Sequence, residues 1–251
     1  MEQAVTFECS AKWYDALYAG KDYDREIANY RKALGEDFAP RSIVDVGCGT
    51  GNSTLALRRA FPEATITAVD PNREMREMAH AKGVEAIDAD LQTFQCANAD
   101  LVVCFFNVIG YAGVDLTSLI PALKNAHKQT NENGVLLFDF MHMPTVARSL
   151  RPVECRHCDC GEYKIFRTAF REYLGLLGIV EYVLKYEVWQ CGSFCDYQHE
   201  THRMRCFTIT ELTLLLSLTG WHANFFSCDG NPRPRPDEFY LLCKATKNGT
   251  A

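Results

Sequence analysis

The sequence predicts an α/β fold, a doubly wound and mostly parallel sheet of seven strands with helices on both faces. Three observations carry that expectation. Between residues 42 and 140, short branched-apolar segments alternate with amphipathic ones, as strands joined by crossover helices do. The first of these segments, Ile43-Val44-Asp45-Val46, runs into glycines at every second position, Gly47, Gly49 and Gly51, and Ser53 to Leu57 then reads as a helix start. A strand entering a helix through glycines lets a ligand approach backbone amides closely. After Asp139 the alternation stops, and runs rich in Tyr, Phe, Val and Thr follow one another without helices, which predicts an antiparallel insertion after the fifth strand.

Element by element, Tyr14, Leu17 and Tyr18 recur at helix spacing and a second helical run extends from Tyr23 to Leu34, ended by Gly35 and Pro40. Strands are expected at 42–46, 64–70, 84–88, 99–105 and 134–140, with helices at 53–60, 73–82 and 116–129. The insertion strands are expected at 163–173, 178–190 and 194–207, with Gly192-Ser193 turning between the last two. Thr210 is expected to cap a helix with Glu211 in its first turn and Gly220 at its end. Strands near 222–228 and 238–245 close the sheet, joined by the extended link from Asn231 to Pro236.

Composition bounds the function. The 251 residues are 47% hydrophobic and 12% aromatic with a formal charge of −6, so a packed globular protein without a nucleic-acid footprint is expected. The start Met1-Glu2-Gln3-Ala4 has no basic segment followed by an apolar one, and runs such as Leu212 to Leu218 are too short to span a bilayer. The expectation is a cytoplasmic protein with no membrane partner. Of the twelve cysteines, Cys155, Cys158 and Cys160, beside His157 and with Cys191 and Cys195 downstream, could ligate zinc. Their spacing departs from a paired C-x-x-C arrangement, and a cysteine-rich loop with no metal is expected.

The glycine loop admits three ligands. A phosphate-cradling loop needs Lys-Ser/Thr after its last glycine, and Asn52-Ser53 stands there instead. A dinucleotide site needs a third glycine at the place of Thr54. A nucleoside with an amino-acid tail remains. On Asp45-Val46-Gly47-Cys48-Gly49-Thr50-Gly51 and the residues that follow, the chain resembles class I S-adenosylmethionine-dependent methyltransferases over most of its length. The resemblance implies S-adenosyl-L-methionine as cofactor and a Rossmann-like core. It places Asp45, Gly47, Gly49 and Gly51 in the cofactor loop and Asp70, 19 positions after Gly51, on the ribose hydroxyls. It places Pro71 and Met75 against adenine, Asp90 and Leu91 at the adenine amino group, and Phe106 and Asn107 beside the methionine portion.

Methyl transfer from a sulfonium requires an aligned acceptor, exclusion of water and, for an ammonium acceptor, removal of a proton. The segment Trp13-Tyr14-Asp15-Ala16-Leu17-Tyr18 resembles the lid of small-molecule N-methyltransferases, the sugar-amine N,N-dimethyltransferases and, more distantly, glycine N-methyltransferase. By that resemblance Tyr14 would meet the acceptor as a catalytic residue, Tyr18 the cofactor, and Arg25 the methionine carboxylate. His142, after the fifth strand, is a candidate general base. In the run 199–205, alternation puts His199, Thr201, Arg203 and Arg205 on one face and Glu200, His202 and Met204 on the other, with Arg205 expected to be structural. Neither the N/D-P-P-Y/F/W motif nor a Pro-Cys nucleophile of nucleic-acid methyltransferases occurs.

The expected function is therefore methyl transfer to a nitrogen of a small metabolite or natural-product intermediate. An oxygen or carbon acceptor, or a non-catalytic scaffold, are the alternatives. A single domain over 1–251 is expected, divided into a lid (1–40), a cofactor-binding core (41–148), an insertion (149–207) and closing elements (208–251), acting as monomer or homodimer.

Overall fold

The computed structural model describes Phe7 and residues 10–247. It opens with two helices, α1 (Ala11–Leu17) and α2 (Tyr23–Leu34). Asp22 caps α2 by accepting the Arg25 amide at 2.9 Å, and Ile27, Tyr30, Ala33 and Leu34 form its buried stripe. The core alternates as expected through β1 (Ser42–Val46), α3 (Asn52–Ala60), β2 (Thr65–Val69), α4 (Arg73–His80), β3 (Ala86–Ile87) and β4 (Ala99–Cys104). It continues through α5 (Val108–Ala112), α6 (Leu116–Gln129), β5 (Thr130–Met141) and α7 (Met143–Ser149). The short helices α5 and α7 were not expected. At five and seven residues they span too few turns to show a periodic pattern.

The insertion holds four strands rather than three: β6 (Val153–Cys160), β7 (Tyr163–Leu174), β8 (Ile179–Gln190) and β9 (Ser193–Arg205). The chain closes with α8 (Ile209–Leu218), β10 (Trp221–Ser227) and β11 (Tyr240–Lys247). The large sheet has the order β10-β11-β5-β4-β1-β2-β3. Its five inner and far strands pair in parallel, and β11 runs antiparallel to β5 and β10. One apolar layer joins α6 and α8 to one face through Leu119, Leu123, Leu212 and Leu216. The other joins α2 and α3 to the opposite face through Ile27, Tyr30 and Leu57. Burial on both faces is why these strands read as continuous apolar runs.

Three local expectations are corrected. The cap of α8 is Thr208, not Thr210. Its hydroxyl accepts the Glu211 amide at 3.1 Å while Glu211 accepts the Thr208 amide at 2.8 Å, and this reciprocal box requires a spacing of three. The hairpin between β8 and β9 turns at Cys191-Gly192, both with left-handed φ (49° and 83°), the two-residue turn that matches strand twist. The cysteine segment 155–160 is strand β6, not a loop. Alternation sends Cys155 to the face opposite Cys158, and no group of three or more metal-ligating side chains is found among the described residues.

The small sheet runs β6-β7-β8-β9, antiparallel throughout. Lid and insertion meet where Trp13 packs on Ile165, Tyr186 and Val188. Arg205 Nε donates to the Gly113 carbonyl at 2.6 Å, tying β9 to the loop after α5. Among the described residues no helix is long and apolar enough to cross a membrane.

Candidate active site

Two cavities adjoin at the C-terminal ends of β1, β2, β4 and β5. The smaller, of about 180 Å³, is lined by the glycine loop, Asp70, Met75 and Phe106. The larger, of about 590 Å³, lies between lid, core and insertion. Phe7, Tyr14, Phe106 and Tyr111 line both and so form the boundary between them.

The smaller cavity follows from β1 ending in glycines. Gly47 has φ +72°, and a Cβ there would stand 2.4 Å from Val108 Cγ2, so the loop can pass under α5 only with glycine at this place. Gly47 and Gly49 line the cavity, whereas Gly51 (φ +84°) caps α3 and packs on Val84 and Ala79 outside the lining. Asp70 accepts the Gly49 amide and the Asn72 amide, both at 2.8 Å. Each bond uses a different carboxylate oxygen, so each oxygen keeps capacity for a further donor. Burial pushes the Asp70 pKa up, against those two bonds and Arg76. Pro71 and Met75 complete this end of the cavity. Burial also holds the Cys48 thiol well above its ordinary range, making it a wall rather than a nucleophile.

Several expected residues stand elsewhere. Asp45 lies beneath the loop, where one carboxylate oxygen accepts the Ser53 hydroxyl at 2.9 Å and the Thr54 hydroxyl at 2.7 Å. It fastens β1 to α3 and lines neither cavity. Asp90 is exposed and spends its carboxylate on the amides of Gln92 and Thr93. Leu91 belongs to the main apolar core. His142 faces Thr145 at 3.2 Å, and its backbone amide bonds the Phe239 carbonyl; it lines neither cavity, because the chain turns into α7 directly after it. Tyr18, Arg25 and Asn107 line the larger cavity and not the smaller one.

Asp45 gives a pH-dependent expectation. Burial, opposed by the Thr54 and Ser53 hydroxyls, raises its pKa from 3.8 to about 6. A carboxyl raised in the folded state contributes stability that is present below pH 3.8 and is lost as pH rises through about 6. Against Asp45→Asn as reference, wild-type stability should therefore fall by on the order of 2 kcal/mol between pH 4 and pH 7. Urea unfolding of both proteins at the two pH values measures this difference.

Phe106 and Asn107 both have left-handed φ (61° and 63°), a strained backbone for non-glycine residues. Asp139 holds them there: its buried carboxylate accepts the Phe106 amide at 3.0 Å, the Asn107 amide at 2.5 Å and the Tyr30 hydroxyl at 3.2 Å. Gly110 makes room for the Asn107 side chain, since a Cβ would stand 2.3 Å from its Nδ2. The lid is fixed to the glycine loop by Asp15, which accepts the Thr50 hydroxyl at 2.7 Å and the Asn52 side-chain Nδ2 at 2.9 Å and pairs with Lys82 at 2.5 Å.

A buried chain of polar groups reaches the cavity boundary from β9. Tyr111 Oη lies 2.9 Å from His202 Nδ1, and His202 Nε2 lies 2.9 Å from Glu200 Oε1. Tyr186 donates to the same Glu200 oxygen at 3.0 Å, and the Ser10 amide to the other at 3.3 Å. With Glu200 accepting at Nε2, that nitrogen carries the proton, and Nδ1 is the acceptor for the Tyr111 hydroxyl. Burial pushes the Glu200 pKa up, but the bonds from His202, Ser10 and Tyr186 outweigh it and the net direction is down. Burial holds the Tyr111 and Tyr14 phenols far above their ordinary pKa, with neighbouring tyrosines adding to it. Sequence alternation places Glu200, His202 and Met204 on one face, and all three are indeed buried. It did not show that Tyr111 meets them across 91 residues of chain.

Residues 43–134 match a methyltransferase domain family. The malonyl-[acyl-carrier protein] O-methyltransferase of Hahella chejuensis is 37% identical over 109 residues, which are 42% of this chain and 38% of that protein. The chain thus spans well under two thirds of that curated relative. Among solved structures, an S-adenosylmethionine-dependent methyltransferase from Clostridium acetobutylicum superposes with a TM-score of 0.78 at 20% identity, covering 95% of this chain and 98% of that one. The sugar N-methyltransferase KedS8 from Streptoalloteichus sp. does so with a TM-score of 0.77 at 18% identity, covering 97% and 95%. Residues 43–134 thus match a methyltransferase domain, and the solved structures show that the chain shares the fold of S-adenosylmethionine-dependent methyltransferases. Along nearly its whole length it shares the fold of KedS8.

Proposed function

We propose that the protein transfers a methyl group from S-adenosylmethionine to a nitrogen of a small, polar metabolite. In this reading the smaller cavity takes the cofactor, with Asp70 on the ribose hydroxyls, Pro71 and Met75 along adenine, and the side-chain-free backbone of Gly47 and Gly49 beside the methionine portion. The larger cavity takes the acceptor. The donor methyl passes between them at Tyr14, Phe106 and Tyr111. The cofactor supplies an electrophilic methyl on sulfur; the protein aligns the acceptor and keeps water out.

The chain Tyr111–His202–Glu200 at the cavity boundary is the observation that carries the nitrogen reading. An ammonium acceptor must lose a proton before its lone pair can attack. Tyr111 Oη would take that proton while passing its own to His202 Nδ1, and Glu200 would hold the imidazolium that forms, by the logic of a hydroxyl–histidine–carboxylate triad. The sugar N-methyltransferase fold supports the same reading.

The test is transfer of a labelled methyl group from S-adenosylmethionine to a panel of small amines, alcohols and carboxylic acids. Product on amines is expected, and product confined to oxygen acceptors overturns the nitrogen assignment. Calorimetric titration with S-adenosylhomocysteine tests the cofactor cavity separately, and absence of binding would remove the enzymatic reading.

A further inference from the structure

The wall of the larger cavity contributed by the small sheet carries an imbalance of charge. Period-two alternation turns Ile165, Arg167, Ala169 and Arg171 of β7 inward, and Arg167 is 6% exposed. Arg156 of β6 reaches the same wall, so three guanidinium groups line it. One carboxylate, Glu154, answers all three: it pairs with Arg156 at 2.5 Å, with Arg167 at 3.2 Å and with Arg171 at 3.1 Å. Arg167 also donates to the Tyr18 hydroxyl at 3.0 Å, while its Nε is buried without a hydrogen-bond partner. The other acids around the cavity are engaged elsewhere: Asp139 with the Phe106 and Asn107 amides, Glu26 with Lys21 at 3.4 Å, Asp229 with the Asn231 amide at 3.0 Å, and Glu200 with His202.

Burying guanidinium charge is costly unless each is paired and hydrogen-bonded. Arg167 and Arg171 are the buried pair and Arg156 is the exposed third, so two buried cations that share one carboxylate, with a buried donor left over, are incomplete as they stand. The planar fork of an arginine fits two oxygens on one carbon or phosphorus.

We infer that the acceptor carries an anionic oxygen group, a carboxylate or a phosphate, which docks on Arg167, Arg171 and Arg156. The inference rests on reading the larger cavity as the acceptor site. Strand register adds a dimension. Arg171 stands opposite Tyr182, and Tyr182 opposite His202, so the anion site and the His202 relay share one row across three strands. Two strand spacings put them roughly 10 Å apart in the backbone. The acceptor thus holds its nitrogen and its anion at opposite ends of an elongated molecule, and the arginines select for length as well as charge.

The experiment is calorimetric titration of the full chain with malonate and with pyrophosphate, each with and without saturating S-adenosylhomocysteine. At least one anion is expected to bind in the millimolar range or tighter, and which one binds separates the carboxylate from the phosphate. Arg167→Gln and Arg171→Gln are each expected to weaken that binding at least roughly tenfold, the loss of a paired charge-assisted contact. S-adenosylhomocysteine affinity should not change in either variant. Glu154→Gln removes the competing carboxylate and is expected to tighten anion binding by roughly fivefold, a gain that a misfolded variant cannot produce. Absence of binding by both anions, or unchanged binding in both arginine variants, overturns the inference. Because the anion arms are run without cofactor as well, failure of S-adenosylhomocysteine to bind would count against the methyltransferase reading and not against the anion site.

Discussion

Replacing Glu200 by Gln is expected to lower kcat for an amine acceptor by on the order of 100-fold at neutral pH, the scale of one general acid–base contribution. Glutamine keeps the size and the acceptor oxygen of the side chain, so His202 and Tyr186 retain their bonding partner. The variant removes the negative charge that would stabilise a protonated His202. Rotation of the amide can also present a donor to Nε2, which would reverse the tautomer and leave the Tyr111 hydroxyl without its acceptor. Because Glu200 is 4% exposed and His202 2%, water does not replace the lost charge.

The pH profile separates this role from a structural one. As the medium rises through the acceptor amine's own pKa, the acceptor arrives already deprotonated, and the deficit of the variant should shrink toward wild type. Tyr111→Phe should show the same convergence. S-adenosylhomocysteine affinity should hold within about twofold in Glu200→Gln, since neither Glu200 nor His202 lines the smaller cavity, whereas Tyr111 lines both cavities. A deficit that is equal at every pH, or that is accompanied by loss of cofactor affinity, would assign Glu200 to packing the lid through the Ser10 amide instead.

How much of this was legible in sequence follows from the length of chain each feature needs. The glycine loop and Asp70 were legible because strand, turn and helix lie within about one βαβ unit, where local rules act. Asp45 was placed in the cofactor loop because it adjoins the glycines. The strand's period of two instead turns its side chain under α3, where Ser53 and Thr54 wait. His142 was near the expected acceptor site by strand count, but α7 begins at Met143 and carries the ring toward Thr145.

The features that fill the larger cavity are products of tertiary assembly. Tyr18 meets Arg167 across 149 residues, and Tyr111 meets His202 across 91. Strand β6 was hidden for another reason. Its sequence Val-Glu-Cys-Arg-His-Cys-Asp-Cys is polar on both faces, because it is an edge strand with one face in solvent and the other turned to the arginine wall. Its lack of an apolar alternation, which made it read as a cysteine-rich loop, is a consequence of lining that wall.

Asp70→Ala is expected to weaken S-adenosylhomocysteine binding by about 2 kcal/mol, roughly 30-fold. In the proposed cofactor placement, the substitution removes the acceptor for two ribose hydroxyls. It also frees the Gly49 and Asn72 amides, which Asp70 now holds at 2.8 Å, so part of the loss comes from a loosened glycine loop. Asp70→Asn apportions the two. It preserves one acceptor oxygen and the side-chain size, so the loop should stay closer to wild type while binding still falls by about 1 kcal/mol through the lost charge.

Acid should mimic the variant. Ionised Asp70 accepts at both oxygens, whereas the protonated form gives up one of its acceptor positions to a proton. Because burial raises its pKa, wild-type affinity should begin to fall at a higher pH than an ordinary carboxylate would require. Asp70→Ala should lack that fall. Calorimetry of the three proteins with S-adenosylhomocysteine from pH 4.5 to pH 8 reads both effects, and equal affinities across the three would move the ribose away from Asp70 and leave the smaller cavity without its polar anchor.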